Sequence, residues 1–88
     1  KLLSMHYVYI LQSSKDRQLY IGCTRNLQRR FIMHNAGKVM STRERIPLKL
    51  MFYEAFLNQQ DAFAREQWLK TGWGHNQLYK ILSRSLKV

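Results

Sequence analysis

Residues 6–12 run His-Tyr-Val-Tyr-Ile-Leu-Gln, placing β-branched and aromatic side chains at both parities. A strand covered by protein on two faces reads this way, so this segment is expected at the centre of a sheet. Polar turn chemistry follows in Ser13, Ser14, Lys15, Asp16 and Arg17, and residues 19–24 form a second short run of strand type. The pair predicts a hairpin. Asn26 suits a helix N-cap, Leu27 and Phe31 recur at helical spacing, and Asn35 and Gly37 end the pattern, which predicts a first helix. Residues 37–47 set Gly37, Ser41, Thr42 and Pro47 among Lys38, Arg43 and Arg45 and read as a basic surface loop.

Over residues 48–56, Leu48, Leu50 and Phe52 alternate with Lys49, Met51 and Tyr53, predicting a third strand with one firmly apolar face and one mixed face. Residues 58–61 offer caps for a second helix over 62–71, with Gly72 as its C′ residue. Gly74 and His75 lead into a last helix whose Leu78, Ile81, Leu82 and Leu86 fall on one stripe. There is no repeat, low-complexity tract or internal linker. The order ββαβαα predicts an α+β fold, a small three-stranded antiparallel sheet flanked by helices. Residues 1–88 read as one domain, in which Lys1 to Ser4 fit no pattern and are expected to be either an upstream extension or a remnant of expression.

Length and charge narrow the function. A chain of 88 residues supports one core, which excludes a two-domain enzyme. Fifteen Lys and Arg against five Asp and Glu leave a formal charge of +10, so a polyanionic partner is expected. No apolar run approaches the roughly 20 residues that cross a bilayer, and no leader pattern opens the chain, so neither a membrane protein nor a secreted one is expected. The single Cys23 can form neither an internal disulfide nor a Cys-rich zinc site. The expected compartment is the reducing cytoplasm, with Cys23 buried and inert.

Several side chains resist an ordinary structural reading. On the second helix Ala62, Phe63, Leu69 and Trp73 cluster on one side at 100° per residue, and Glu66 projects into that cluster. A carboxylate there must meet a cation, accept hydrogen bonds or open into a cleft. One reading is a structural salt bridge, for instance to Arg30; the other is a ligand for a divalent metal held between protein and phosphate. Arg30 and His34 stand four residues apart, so their heads share a face of the first helix. They could grip one phosphate together, Arg30 through its planar fork of donors and His34 as a proton shuttle, or simply belong to a solvated basic face with Arg25 and Arg29. Tyr9 and Tyr20 lie on paired strands, where a ring is ordinary core material unless its hydroxyl meets a polar pocket. Holding a phenolate at neutral pH costs roughly 4 kcal/mol unless cations stand nearby. In a regular hairpin these two rings share a face only if paired residue numbers sum to an odd value.

Taken together, Tyr7-Val8-Tyr9, Tyr20-Ile21-Gly22, Arg30, His34 and Glu66 resemble the signature of the GIY-YIG nuclease superfamily. The second tripeptide is intact, Arg30 follows its tyrosine by ten residues, and Glu66 stands within Arg65-Glu66-Gln67-Trp68-Leu69-Lys70 on a late helix. The stretch from Met5 to about Gly74 is similar to small stand-alone members, related to the nuclease module of the bacterial excinuclease. The resemblance implies Mg²⁺-dependent (or Mn²⁺-dependent) endonucleolytic hydrolysis of DNA phosphodiesters, in DNA repair or processing. It further implies that Tyr9 or Tyr20 orients or deprotonates the attacking water, that Arg30 stabilises charge on the phosphoryl oxygens and that Glu66 holds the metal. His34 matches a histidine of part of the family, with a role in proton transfer.

The sequence departs from the pattern in two places. Its first tripeptide begins with Tyr7 in place of glycine, and the family's asparagine beyond the glutamate has only Asn76 as a counterpart, which is left out of the catalytic set. Larger relatives recruit DNA with separate binding domains, so a protein partner supplying substrate specificity is an expectation here. Two other function classes compete. One is a basic module that binds nucleic acid without catalysis, using Arg25, Arg29, Lys38, Arg43 and Arg45 on phosphates. The other is an interaction protein using Trp68, a residue that could equally pack against the last helix.

Overall fold

The computed structural model describes residues 4–87, so Lys1 to Leu3 of the expected extension lie outside the described residues. The elements are β1 (His6–Ser13), β2 (Leu19–Thr24), α1 (Leu27–Asn35), β3 (Leu48–Phe56), α2 (Gln59–Leu69) and α3 (Gly72–Ile81), with 3₁₀ turns at Arg43–Arg45 and Ser85–Lys87. The sheet is antiparallel in the order β2-β1-β3, so the strand with apolar residues at both parities is the central one. Val8, Ile10 and Ile21 point to one side and form a core with Ala62, Leu69, Leu78 and Leu82. Tyr9, Leu11 and Leu48 form a second core on the other side, closed by Tyr20, Leu27, Phe31, Ile46 and Leu50. This is the expected α+β fold in the order ββαβαα, with α1 on one face of the sheet and α2 and α3 on the other.

The strict alternation expected along β3 does not hold. Ile10 pairs with Phe52 and Leu11 with Leu50, which leaves Met51 as an extra residue at a bulge. A bulge resets which parity faces which side. Leu48 and Leu50 therefore pack beside Tyr9, whereas Met51, Phe52 and Phe56 pack on the opposite core.

Two helix boundaries also differ from expectation. Asn58 caps α2 by accepting from the amides of Gln60 and Asp61, so the helix begins at Gln59 and ends at Leu69. Gly72 does not close it. Thr71, a good N-cap, accepts from the Gly74 amide and makes Gly72 the first residue of α3. Trp73 consequently belongs to α3 and is 80% exposed, while Phe63 is 57% exposed, so of the expected apolar cluster only Ala62 and Leu69 are buried. In the last stripe Leu78 and Leu82 are buried, Leu86 is half-buried and Ile81 is exposed.

The basic loop is anchored as well as exposed. The Asn35 amide donates to the Leu48 carbonyl at 2.8 Å and its oxygen accepts from the Leu48 amide at 2.7 Å, a side-chain imitation of a β-bridge. Ser13 Oγ donates to the Arg45 carbonyl at 2.6 Å. Between these ties Val39 and Thr42 are buried, so the segment reaches into the interior under α1.

Gly74 sits where α3 abuts the end of α2, and a Cβ there would fall on the backbone of Trp68 and Leu69. Ala ordinarily favours a helix over Gly by about 0.5–1 kcal/mol. Gly74→Ala is instead expected to destabilise by about 1–3 kcal/mol through overpacking, whereas Gly72→Ala, which meets open space, is expected to be neutral or stabilising. Urea midpoints of the two variants check the opposite signs.

Candidate active site

The hairpin register places Tyr9 opposite Gly22 and Leu11 opposite Tyr20, an odd sum, so both tyrosines face α1. Their ring centroids are 6.3 Å apart. A Cβ on Gly22 would coincide with the tip of the Tyr9 ring, and its absence lets the phenol lie across β2. Tyr9 is nearly sealed, 1% exposed, while Tyr20 is half-buried and accepts from Ser41 Oγ at 3.4 Å.

Behind the Tyr9 hydroxyl lies His34, from the last turn of α1. Its Nε2 is 2.8 Å from Tyr9 Oη and its Nδ1 is 2.7 Å from Thr42 Oγ1, and both His34 and Thr42 are fully buried. Burial, and then the charge of Arg30, push the imidazole down to about 4, so it is neutral at pH 7. Arg30 Nε donates to Tyr9 Oη at 3.5 Å from one turn earlier in α1. Burial raises the Tyr9 pKa, the Arg30 hydrogen bond works against it, and the charges of Tyr20 and Glu66 add to the rise.

The four-residue spacing does put Arg30 and His34 on one face, where both meet Tyr9. A joint grip on phosphate, however, is not available. Both His34 nitrogens are engaged inside the protein, so the imidazole supports Tyr9 from behind and Arg30 alone reaches outward. Arg30 lines an open slot of about 340 Å³ with Thr24, Arg25, Asn26, Arg29 and Met33. Lys38 and Arg43 are exposed on the loop and do not line this slot. Arg45 is not a free phosphate ligand, because its guanidinium is bound to Asp16 at 2.8 Å and donates to the Gln18 carbonyl at 3.1 Å.

Glu66 follows Ala62 by one turn and precedes Leu69 by another, which carries it into the buried stripe of α2, with its side chain 12% exposed. Its ion-pair partner is Lys70 at 3.4 Å, not Arg30, and Gln67 donates to its other oxygen at 3.2 Å. The Lys70 side chain is 48% exposed, so this is a surface pair of little strength that another cation can displace. The Glu66 charge is felt at both Tyr9 and Cys23. Cys23 is half-buried, not sealed as expected, and burial followed by Glu66 raises its thiol pKa, which keeps it protonated.

Among the described residues no three His, Cys, Asp or Glu side chains gather into a closed metal site. A lone carboxylate suits a hard divalent ion that keeps several waters and shares substrate phosphate oxygens; it does not suit zinc, which takes three or four protein ligands. The one carboxylate therefore fits a hard, partly hydrated divalent ion. Asn76 is exposed on α3, and Trp68 is 41% exposed, with the Arg65 guanidinium 5.2 Å over its ring.

The profile of the GIY-YIG catalytic domain matches residues 5–79. The chain belongs to the GIY-YIG family. It is 43% identical over 84 residues to a UPF0213 protein of Clostridium perfringens, covering 94% of this chain and 89% of that one. A UPF0213 protein of Staphylococcus haemolyticus is 41% identical over 83 residues, covering 93% and 100%. A solution NMR structure of a UPF0213 protein from Bacillus halodurans shares the architecture with a TM-score of 0.56 and 34% identity, over 88% of this chain and 84% of that one. GIY-YIG domains form a nuclease superfamily whose members generally use divalent metal ions. Among the described residues no helix is long and apolar enough to cross a membrane.

Sequence reasoning missed Thr42, whose neighbours in a basic loop gave no sign that it alone turns inward to His34. The tripeptide's glycine held a usable signal, since a glycine inside a strand marks a close approach.

An imidazole held near 4 in the folded chain, against 6.5 when unfolded, means that the unfolded state binds more protons between those values. The stability that neutral His34 confers is thus fully present above about pH 6.5 and is lost as pH falls towards 4, on the order of 2–4 kcal/mol in all. Urea unfolding at pH 7, 6 and 5 should show falling midpoints, and His34→Gln, which cannot titrate, should flatten that slope.

Proposed function

We propose that this chain is a metal-dependent endonuclease that hydrolyses DNA phosphodiester bonds. The observation that carries the reading is the Tyr9 hydroxyl, backed by His34 at 2.8 Å and touched by Arg30 at 3.5 Å, beside a slot lined by three arginines. A structural tyrosine needs one hydrogen-bond partner. This one has a neutral imidazole behind it and a cation before it, which is the environment of a proton-transfer group.

In this mechanism Arg25 and Arg29 hold the strand by its phosphates. Arg30 donates to the phosphoryl oxygens as charge grows on them, and its fixed placement requires no reorganisation at the moment of reaction. Tyr9, a protonated phenol at rest, orients the attacking water, and as it takes that water's proton its own phenolic proton passes to the neutral His34 Nε2 along the 2.8 Å hydrogen bond. Tyr20, stacked edge-on to His34 at 5.1 Å, closes the aromatic wall over the imidazole and presents a second hydroxyl to the site. Glu66 would hold the Mg²⁺ or Mn²⁺ ion, which when bound supplies positive charge to the phosphate and the leaving oxygen. The slot's exposed arginines also support binding to nucleic acid in its own right, through contacts that carry no sequence information. A role in DNA repair or processing, with a partner protein that selects the substrate, belongs to the same reading.

Purified protein should nick supercoiled plasmid in Mg²⁺, with activity removed by EDTA and restored by Mg²⁺ or Mn²⁺. Glu66→Gln, Arg30→Ala and Tyr9→Phe should each lower the rate by about 10²–10³. Nicking that survives all three changes would sink the assignment. Salt-sensitive binding without any cleavage would leave the non-catalytic module as the function.

A further inference from the structure

A second concavity, of about 470 Å³, opens on the other side of the α1 N-terminus from Arg30. Tyr7, Phe31 and Tyr53 supply its aromatic walls, Leu27 and Leu50 its floor, and Arg25 its rim. Nothing in the catalytic proposal uses it. Three features define what it can hold. The Tyr7 and Tyr53 rings meet edge-to-face at 5.9 Å and 64°, so they are not stacked on each other, and Tyr53 remains 51% exposed despite its size. No carboxylate lines the groove, so nothing there repels an anion. Its Arg25 and Asn26 also line the arginine slot, which makes the two cavities one continuous surface: phosphate donors at one end, aromatic rings at the other.

We infer that this groove is a nucleobase subsite, in which one base of the bound strand lies against Tyr53 and Tyr7 while its phosphates run past Arg25 towards Arg30. The inference rests on the proposed nucleic-acid substrate and adds the part of it that is held away from the scissile phosphate. Its volume falls in the range of small-ligand sites, and aromatic walls with an apolar floor accept the flat face of any base. The positive rim selects a polyanion over an apolar peptide. A base can enter only when unstacked, so the substrate class is single-stranded DNA or a duplex with a displaced or unpaired nucleotide. Binding there would be tolerant of sequence, because every base has a π-face.

The test separates this inference from the catalytic one by measuring binding alone. In the Glu66→Gln background, fluorescence anisotropy with a short single-stranded DNA is read across a salt series, with and without Tyr53→Leu. The leucine variant should bind about 10-fold or more weakly with the same salt slope, since stacking releases no counterions. Arg25→Ala should lower that slope by about one unit. On an oligonucleotide with consecutive abasic sites the Tyr53 effect should vanish. Circular dichroism confirms that the exposed Tyr53 is replaced without loss of fold. Equal affinity for the parent and the leucine variant overturns the inference, as does a loss that persists on the abasic strand. A dimer of the parent that Tyr53→Leu breaks, with DNA affinity unchanged, overturns it in favour of a self-interface. None of these results depends on whether the parent protein cuts plasmid, which the nicking assay decides separately.

Discussion

A phenol ring can lie flat across a neighbouring strand only where that strand has no side chain beneath it, and the site is built from this constraint. Gly22 stands opposite Tyr9 in the hairpin and leaves the space that the ring tip occupies. With the ring turned that way, its hydroxyl emerges against α1, in reach of His34 and Arg30 from successive turns. Any residue with a Cβ at position 22 would displace the ring and withdraw the hydroxyl from both. The helix and the hairpin therefore share one point of registration, the Tyr9 hydroxyl oxygen, and the loop that carries Thr42 reaches it through His34.

The electrostatic character of that point is set by burial more than by charge. The chain carries +10, yet the groups in contact with the Tyr9 hydroxyl are a neutral imidazole and one guanidinium. A cationic imidazole in this sealed position beside Arg30 would be doubly unfavourable, and the protein holds it neutral. The excess positive charge sits outside, on Arg25 and Arg29 and along the loop, where it can attract a polyanion from a distance without disturbing the interior. The interior makes hydrogen bonds directional; the surface makes attraction long-ranged.

Much of this was legible in the chain. The two-sided apolar run of residues 6–12 identified the central strand, and the polar turn after it identified its hairpin partner. The spacing of Arg30 and His34 placed both on one helical face, because helical geometry is local. What escaped was non-local. The β3 bulge follows from pairing with β1, and no alternation within residues 48–56 announces it. The Thr71 cap overrode Gly72 as a stop because two helices compete for that boundary. His34 reads as a surface shuttle when only its own helix is considered, and becomes a buried support once Thr42 arrives from eight residues later. The partner of Glu66 is the exception, a local signal that was passed over: Lys70 stands four residues on, at the C-cap of the same helix.

The Asn35 side chain, paired in both directions with Leu48, gives the loop after α1 closed ends. A loop whose ends are pinned by its own flanks keeps its inward residues, Val39 and Thr42, in place. The segment can thus act as a tolerant keel: Thr42 holds the interior trim, and the exposed Lys38, Met40 and Arg43 can exchange charge or bulk without steering the imidazole. Diversification of whatever these outer residues touch is thereby uncoupled from maintenance of the chemistry beneath them.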